Sequence, residues 1–112
     1  MAGHLLRRPE VFCDLQAISA RFARGSPERA LRFLQAVEDT LEFLRENPTL
    51  GGVIPDEQLS SLGFRIWRVK GFRDVLIFYR LLDSNVEIVR IIPGRTSWRA
   101  ALAETLDSPE GW

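Results

Sequence analysis

The spacing of apolar residues changes in the middle of this chain, from a helical period before Asn47 to a strand period after Gly63. Residues 9–23 and 27–46 place apolar side chains three or four positions apart, which predicts two amphipathic helices. From Phe64 onward apolar residues alternate with polar ones or run together, which predicts β-strands. A pair of helices followed by a set of strands predicts an α+β layer.

The junction between the two helices is the clearest local signal. Gly25 interrupts the first helix, Ser26 is an N-cap residue, Pro27 suits the first helical position and Glu28 suits the positive start of a helix. Because the connection is this short, the two segments are expected to form a helical hairpin.

The strand-forming part begins after a glycine- and proline-containing stretch, residues 48–63, which is predicted to be a loop. Three strands follow, separated by turns at Gly71 and at DSN, residues 83–85. A short N-terminal strand (HLLR, residues 4–7) and a short C-terminal helix (within GRTSWRAALAETL) complete the prediction. The expected architecture is a three-stranded antiparallel meander with the helices on one face and the other face free.

The composition fits one domain over residues 1–112, with a core of about residues 4–106 and a loose tail at residues 107–112. Apolar residues make up 46% of the chain, yet no apolar run reaches membrane-spanning length and the N-terminus lacks a signal-peptide core. We therefore expect a cytoplasmic protein that does not enter membranes. The single cysteine, Cys13, allows no internal disulfide and no zinc-binding spacing, so no metal or cofactor is expected.

The net charge of zero conceals an asymmetry between the two halves. Residues 10–57 carry nine acids against five arginines, whereas residues 65–99 carry eight cations, seven of them arginine, against three acids. Arginine pairs with carboxylate or phosphate through two parallel hydrogen bonds, which favours an anionic partner. The alternative is that these cations only keep an exposed sheet face hydrated.

The strand alternation assigns these cations to faces. Arg65 and Trp67 share one face of the first meander strand. We expect this face to be the open one. Arg80 and Arg90 come near the ends of the next two strands, where their side chains can reach the edge of the sheet. The predicted partner-binding surface consists of Arg65, Arg80, Arg90 and Arg95, flanked by Trp67 and Trp98.

Three stretches of the chain resemble a known family when taken together and in order. They are SPERALRFLQAVEDTLEFLRENPTLGG, GFRIWRVKGFRDVLIFYRL and VEIVRIIPGR. Over about residues 4–106 they resemble the ParE/RelE superfamily of bacterial type II toxin–antitoxin toxins, and most closely its ParE branch. The resemblance implies the same architecture of strand, helical hairpin, meander and closing helix.

The ParE resemblance implies a toxin that inhibits DNA gyrase without catalysing a reaction and that serves plasmid stabilisation. It also implies a ParD-like antitoxin, typically with an acidic amphipathic C-terminal segment that folds along the toxin in a hetero-oligomer. The predicted arginine surface would then meet the carboxylates of the antitoxin. Direct binding to nucleic acid is not expected for this branch.

The RelE branch implies a different activity, ribosome-dependent cleavage of messenger RNA. That reaction needs a proton acceptor, a proton donor and cations around the phosphate, for which the candidates are Lys70, Arg65, Arg90 and Arg95. The only histidine is His4, near the N-terminus, and arginine is a poor base. Lys70 would act as a base only after losing its proton, which neighbouring cations would favour. The residues therefore favour a toxin that is not an enzyme.

A third interpretation is a non-toxic interaction module of the same fold. Superfamily members often have a histidine where this chain has Pro93, and an arginine–aspartate pair where it has RTSW, residues 95–98. Both departures fall where the last predicted strand meets the closing helix.

Overall fold

The helical hairpin is present in the computed structural model, which describes residues 3–106. Helix α1 spans Pro9–Gly25 and helix α2 spans Pro27–Glu46. The Ser26 Oγ accepts a hydrogen bond from the backbone N–H of Arg29 at 3.2 Å, which confirms the predicted N-cap. Within the described residues, no helix has the length and apolar character needed to cross a membrane.

Five strands form one sheet in the order β1-β5-β4-β3-β2. Their ranges are β1 (Leu5–Arg7), β2 (Gly52–Val53), β3 (Phe64–Val69), β4 (Phe72–Leu82) and β5 (Asn85–Pro93). Strands β3, β4 and β5 form the predicted antiparallel meander. Strand β1 pairs with β5 in parallel, and β2 pairs with β3 antiparallel.

The segment predicted as a loop contains two short elements. One is β2, and the other is helix α3 (Glu57–Ser61), which Asp56 caps by accepting the N–H of Leu59 at 3.1 Å. Elements of two and five residues are too short to display a period in the sequence. The loop prediction is therefore wrong at these positions.

The helical hairpin packs on one face of the sheet. The buried residues of this layer come from α1, α2 and all three meander strands; they are Val11, Leu15, Ile18, Phe33, Val37, Leu41, Leu44, Val69, Val75, Ile77, Tyr79, Val86, Ile88 and Ile91. At one end the rings of Phe22, Phe33 and Phe72 lie 5.2 to 5.3 Å apart, which fixes the β3–β4 turn against the hairpin.

The opposite face of the sheet is also covered, so the expectation of a free face is wrong. Helix α4 (Trp98–Leu106) lies on it, and a second apolar cluster there consists of Ile54, Phe64, Leu76, Phe78, Val89, Ile92 and Leu102. The apolar run in β4 supplies residues to both faces, and burying the second set requires a cover. The tail predicted at residues 107–112, with Trp112, lies outside the described residues.

The β3–β4 turn carries an irregularity that bends the meander. Arg68 pairs with Leu76, whereas the next residue, Val69, pairs with Phe72, so the three residues of β4 between them have no partner in β3. Gly71 occupies the turn with φ of 82°, a left-handed conformation that glycine adopts without a steric penalty.

Candidate partner-binding surfaces

Arg90 of β5 is bound inside the fold. Its Nε and Nη2 donate to the two carboxylate oxygens of Asp14 in α1 at 2.8 and 2.7 Å. Its Nη1 donates to Thr105 Oγ1 at 3.0 Å and to the Ala101 carbonyl at 3.3 Å, both in α4. Asp14 also accepts the N–H of Ile91 at 3.0 Å, and its hydrogen bonds raise the pKa of Arg90 further. Arg90 thus ties α1 and α4 to β5.

Arg8, which no sequence pattern singled out, has a similar role. Only 2% of Arg8 is exposed, and its Nη2 donates to the carbonyl of Thr105 at 3.2 Å. Glu10 lies 3.4 Å from the same nitrogen. Two arginines therefore contact the last turn of α4, where the helix dipole favours positive charge.

Arg80 of β4 pairs across the sheet with Glu87 of β5. The Arg80 Nε lies 2.9 Å from the Glu87 Oε1, and both side chains are mostly buried. The guanidinium also lies 5.4 Å from the centre of the Phe64 ring. This places Arg80 on the α4 face of the sheet, with part of its bonding capacity used by its neighbours.

Arg65 and Trp67 of β3 lie on the face of the sheet that the α1–α2 hairpin covers. From the sequence, they were expected on the opposite face. Arg65 Nη1 donates to the carbonyls of Thr49 and Gly51 at 3.1 and 3.0 Å. Trp67 packs against the hairpin core and stacks on Phe43 of α2 at 6.0 Å. Strand alternation shows which residues share a face, but it does not show which face the helices cover.

Tyr79 anchors the loop that Arg65 contacts. Its hydroxyl accepts the N–H of Gly51 at 2.8 Å and donates to the carbonyl of Pro48 at 2.9 Å. The side chain is fully buried, and burial raises the pKa of its phenol. A Cβ on Gly51 would overlap the Tyr79 hydroxyl, so the loop can approach only with glycine at this position.

Arg95 and Trp98 flank the start of α4. Arg95 is exposed and makes no hydrogen bond or ion pair to any other residue in the range 3–106. Trp98 stacks on Phe78 at 5.5 Å, and the Arg99 guanidinium lies 4.4 Å from its ring centre. Trp98 is therefore part of the cover over the second sheet face.

The residues suggested for a ribonuclease include two arginines that the structure separates. Arg65 and Arg90 lie on strands separated by β4 and bind different segments. His4 lies beside the β4–β5 turn, since its carbonyl accepts the N–H of Val86 at 2.9 Å, whereas Lys70 lies at the β3–β4 turn at the other end of β4. In the described part of the chain, no three His, Cys, Asp or Glu side chains are placed to hold a metal ion.

One concave surface was missed by sequence reasoning. A groove of about 690 Å³ lies between α2 and β3. Phe43, Trp67 and Val69 line its apolar part, and the rim carries the cations Arg68, Lys70 and Arg73. The cations were visible in the sequence, but the groove joins residues about 30 positions apart, which no local pattern reveals.

Comparison with solved structures shows which fold this chain has. The chain is similar to a chain from a chromosomal ParDE TA system of P. aeruginosa, with a TM-score of 0.66 over 80% of this chain and 94% of that one. The sequence identity is 22%, so this likeness concerns the fold. The two chains share the α+β fold described above.

The family follows from the sequence. A family model of the ParE toxin of the type II toxin–antitoxin system, parDE, matches residues 6–98. This match covers most of the chain, which therefore belongs to the ParE toxin family. No curated protein matches the chain.

Proposed function

We propose that this protein inhibits growth by poisoning DNA gyrase and that a ParD-like antitoxin neutralises it in a hetero-oligomer. The observation that carries the proposal is the family match across residues 6–98. A ParDE system with the same fold adds support. Gyrase is a cytoplasmic enzyme, so we place the toxin in the cytoplasm, with plasmid stabilisation as its expected role.

The side chains support a toxin that acts by binding rather than by proton transfer. The proposed ribonuclease set needs an acid and a base near the cations. Arg65 and Arg90 are used in contacts within the fold, and His4 and Lys70 lie at opposite ends of β4. A protein that traps a gyrase–DNA complex requires only a complementary surface.

The test is a gyrase assay with the purified protein, in which plasmid supercoiling and accumulation of cleaved plasmid are measured together. We expect less supercoiling and more cleaved DNA, and we expect the antitoxin that rescues growth in co-expression to reverse both effects. The preformed toxin–antitoxin complex is the matched control, because it contains the same chain in neutralised form.

Three other results would contradict the proposal in different ways. Unaffected gyrase together with cleavage of messenger RNA on ribosomes would favour the RelE-like activity. Inhibited supercoiling without cleaved DNA would rule out poisoning. Unchanged colony formation on expression without antitoxin would favour the non-toxic module.

A further inference from the structure

The outer edge of β3 is paired over only part of its length. Strand β2 pairs with Arg65 and Ile66, and no strand within residues 3–106 pairs with Trp67, Arg68 or Val69 on that side. Beyond them, the Thr40 hydroxyl accepts a hydrogen bond from the backbone N–H of Lys70 at 3.1 Å. At about 3.3 Å per residue, the open edge is about 10 Å long, which suits three residues of an added strand.

An apolar surface lies directly beside this open edge. Phe43 is 42% exposed although it stacks on Trp67, and both residues line the groove of about 690 Å³. Pockets for drug-sized ligands have volumes of about 300–1,000 Å³, so the groove can take a bulky apolar side chain. An exposed aromatic pair in a groove is typical of the anchor points of protein interfaces.

Positive charge surrounds the groove. Lys70 and Arg73 are exposed, and neither side chain forms an ion pair with another residue of the described part. Arg68 keeps its position at the rim by donating to the carbonyl of Arg73 at 2.6 Å. Asp39 is the one acid in the lining, and it accepts a hydrogen bond from Gln35. The three cations of the rim outnumber it.

These three features select a ligand with an extended backbone, a bulky apolar side chain and carboxylates. We propose that the groove between α2 and β3 binds an acidic extended segment of the antitoxin, which adds to the sheet as a strand on the open edge of β3. The inference rests on the proposed function, because it names the surface that the antitoxin covers. It differs from the surface that the sequence predicted, since Arg80 and Arg90 are engaged within the fold.

The ligand is an acidic peptide rather than a nucleic acid backbone because of the groove itself. Phosphate binding would use the cations of the rim alone. It would leave unused both the unpaired backbone groups of β3 and the exposed Phe43. An acidic amphipathic strand satisfies all three at once.

Two measurements on the full chain test the inference, with the antitoxin that rescues growth as the probe. The first is backbone amide hydrogen exchange of the free toxin and of the complex. Amides on the open edge, among Trp67, Arg68 and Val69, are expected to exchange at least about tenfold more slowly in the complex, because an added strand protects them. Amides of the exposed face of α1 serve as the internal reference.

The second measurement compares antitoxin affinity for two charge-reversed variants. Lys70→Glu with Arg73→Glu changes the groove rim, and Arg21→Glu with Arg24→Glu makes the same charge change at exposed sites of α1. We expect the rim variant to lose at least about thirtyfold in affinity and the control less than about threefold. The loss should shrink in high salt, because the rim charges are exposed.

The outcomes separate this inference from the proposed function. If the antitoxin binds but the edge amides exchange as in the free toxin, strand addition is wrong while the toxin function stands. Equal effects of the rim and control variants would overturn the choice of groove. If no antitoxin binds and the chain does not inhibit growth, the proposed function itself fails.

Discussion

Cationic side chains at the two ends of the sheet have opposite surroundings. Around β5, Arg90 is held by the carboxylate of Asp14 at 2.7 Å, and Arg8 is almost fully buried against α4. At the β3–β4 turn, Lys70 and Arg73 point into solvent beside an apolar groove. A cation that pairs with a carboxylate from a distant segment helps to hold the fold together. A cation without such a carboxylate is available to bind a partner.

The largest expected change in stability follows from removing the carboxylate that pairs with Arg90 of β5. Asp14→Ala leaves the buried guanidinium of Arg90 and the N–H of Ile91 without their carboxylate partner. We expect the free energy of unfolding to fall by about 3 kcal/mol, because an uncompensated buried charge is costly. Urea denaturation measures the change. The matched control is Asp39→Ala, an exposed acid in the groove, which should change stability by less than about 0.5 kcal/mol. Equal losses in the two variants would show that Asp14 has no special structural role.

A smaller effect is expected where Arg65 meets its loop. Tyr79→Phe removes the hydroxyl that bonds to Gly51 and to Pro48, and it leaves a buried N–H unsatisfied. The expected loss is about 1 to 2 kcal/mol in the same denaturation experiment. Tyr79→Leu removes the ring as well and should cost more. A stability unchanged by Tyr79→Phe would mean that the loop is held by Arg65 alone.

The same tyrosine provides a pH-dependent readout, because it is the only one in the chain. Burial raises the pKa of the Tyr79 phenol above its ordinary value near 10. The corresponding stabilisation is fully present below pH 10, and it is lost as pH rises through the folded-state pKa. Absorbance of the phenolate should therefore appear at a higher pH in the native protein than in the urea-unfolded protein. Coincident titration curves would contradict this burial.

The smallest effect on stability is expected at the groove. Lys70→Ala with Arg73→Ala should alter the free energy of unfolding by less than about 0.5 kcal/mol, because both side chains are exposed. A loss near that of Asp14→Ala would mean that the turn cations support the fold, and the contrast between the two ends of the sheet would disappear.

The sequence predicts those parts of the fold that local chemistry determines. Ser26 and Pro27 locate the helical junction, and the three meander strands follow from the apolar pattern and from Gly71. The pairing of β1 with β5 and the cover supplied by α4 depend on contacts between distant segments. No single-residue signal reports them, so the second sheet face was expected to be free.

The candidate sites were harder to predict for the same reason. Arg90 was expected on a partner-binding surface, whereas in the fold it binds Asp14, which lies 76 positions earlier in the chain. The face of Arg65 and Trp67 was assigned wrongly because strand alternation does not show which of the two faces the hairpin covers. The groove requires both α2 and β3, whose relative placement is a property of the folded chain.

The brevity of β2 has a consequence for the toxin when its antitoxin is absent. An unpaired strand edge is a template for self-association, and a second copy of the chain offers an identical edge. Two such edges meeting would bring Arg68, Lys70 and Arg73 of both copies together, and like charges in contact oppose the pairing. The turn cations are therefore expected to oppose self-association of the free chain through this edge, whereas an acidic strand would meet no such repulsion.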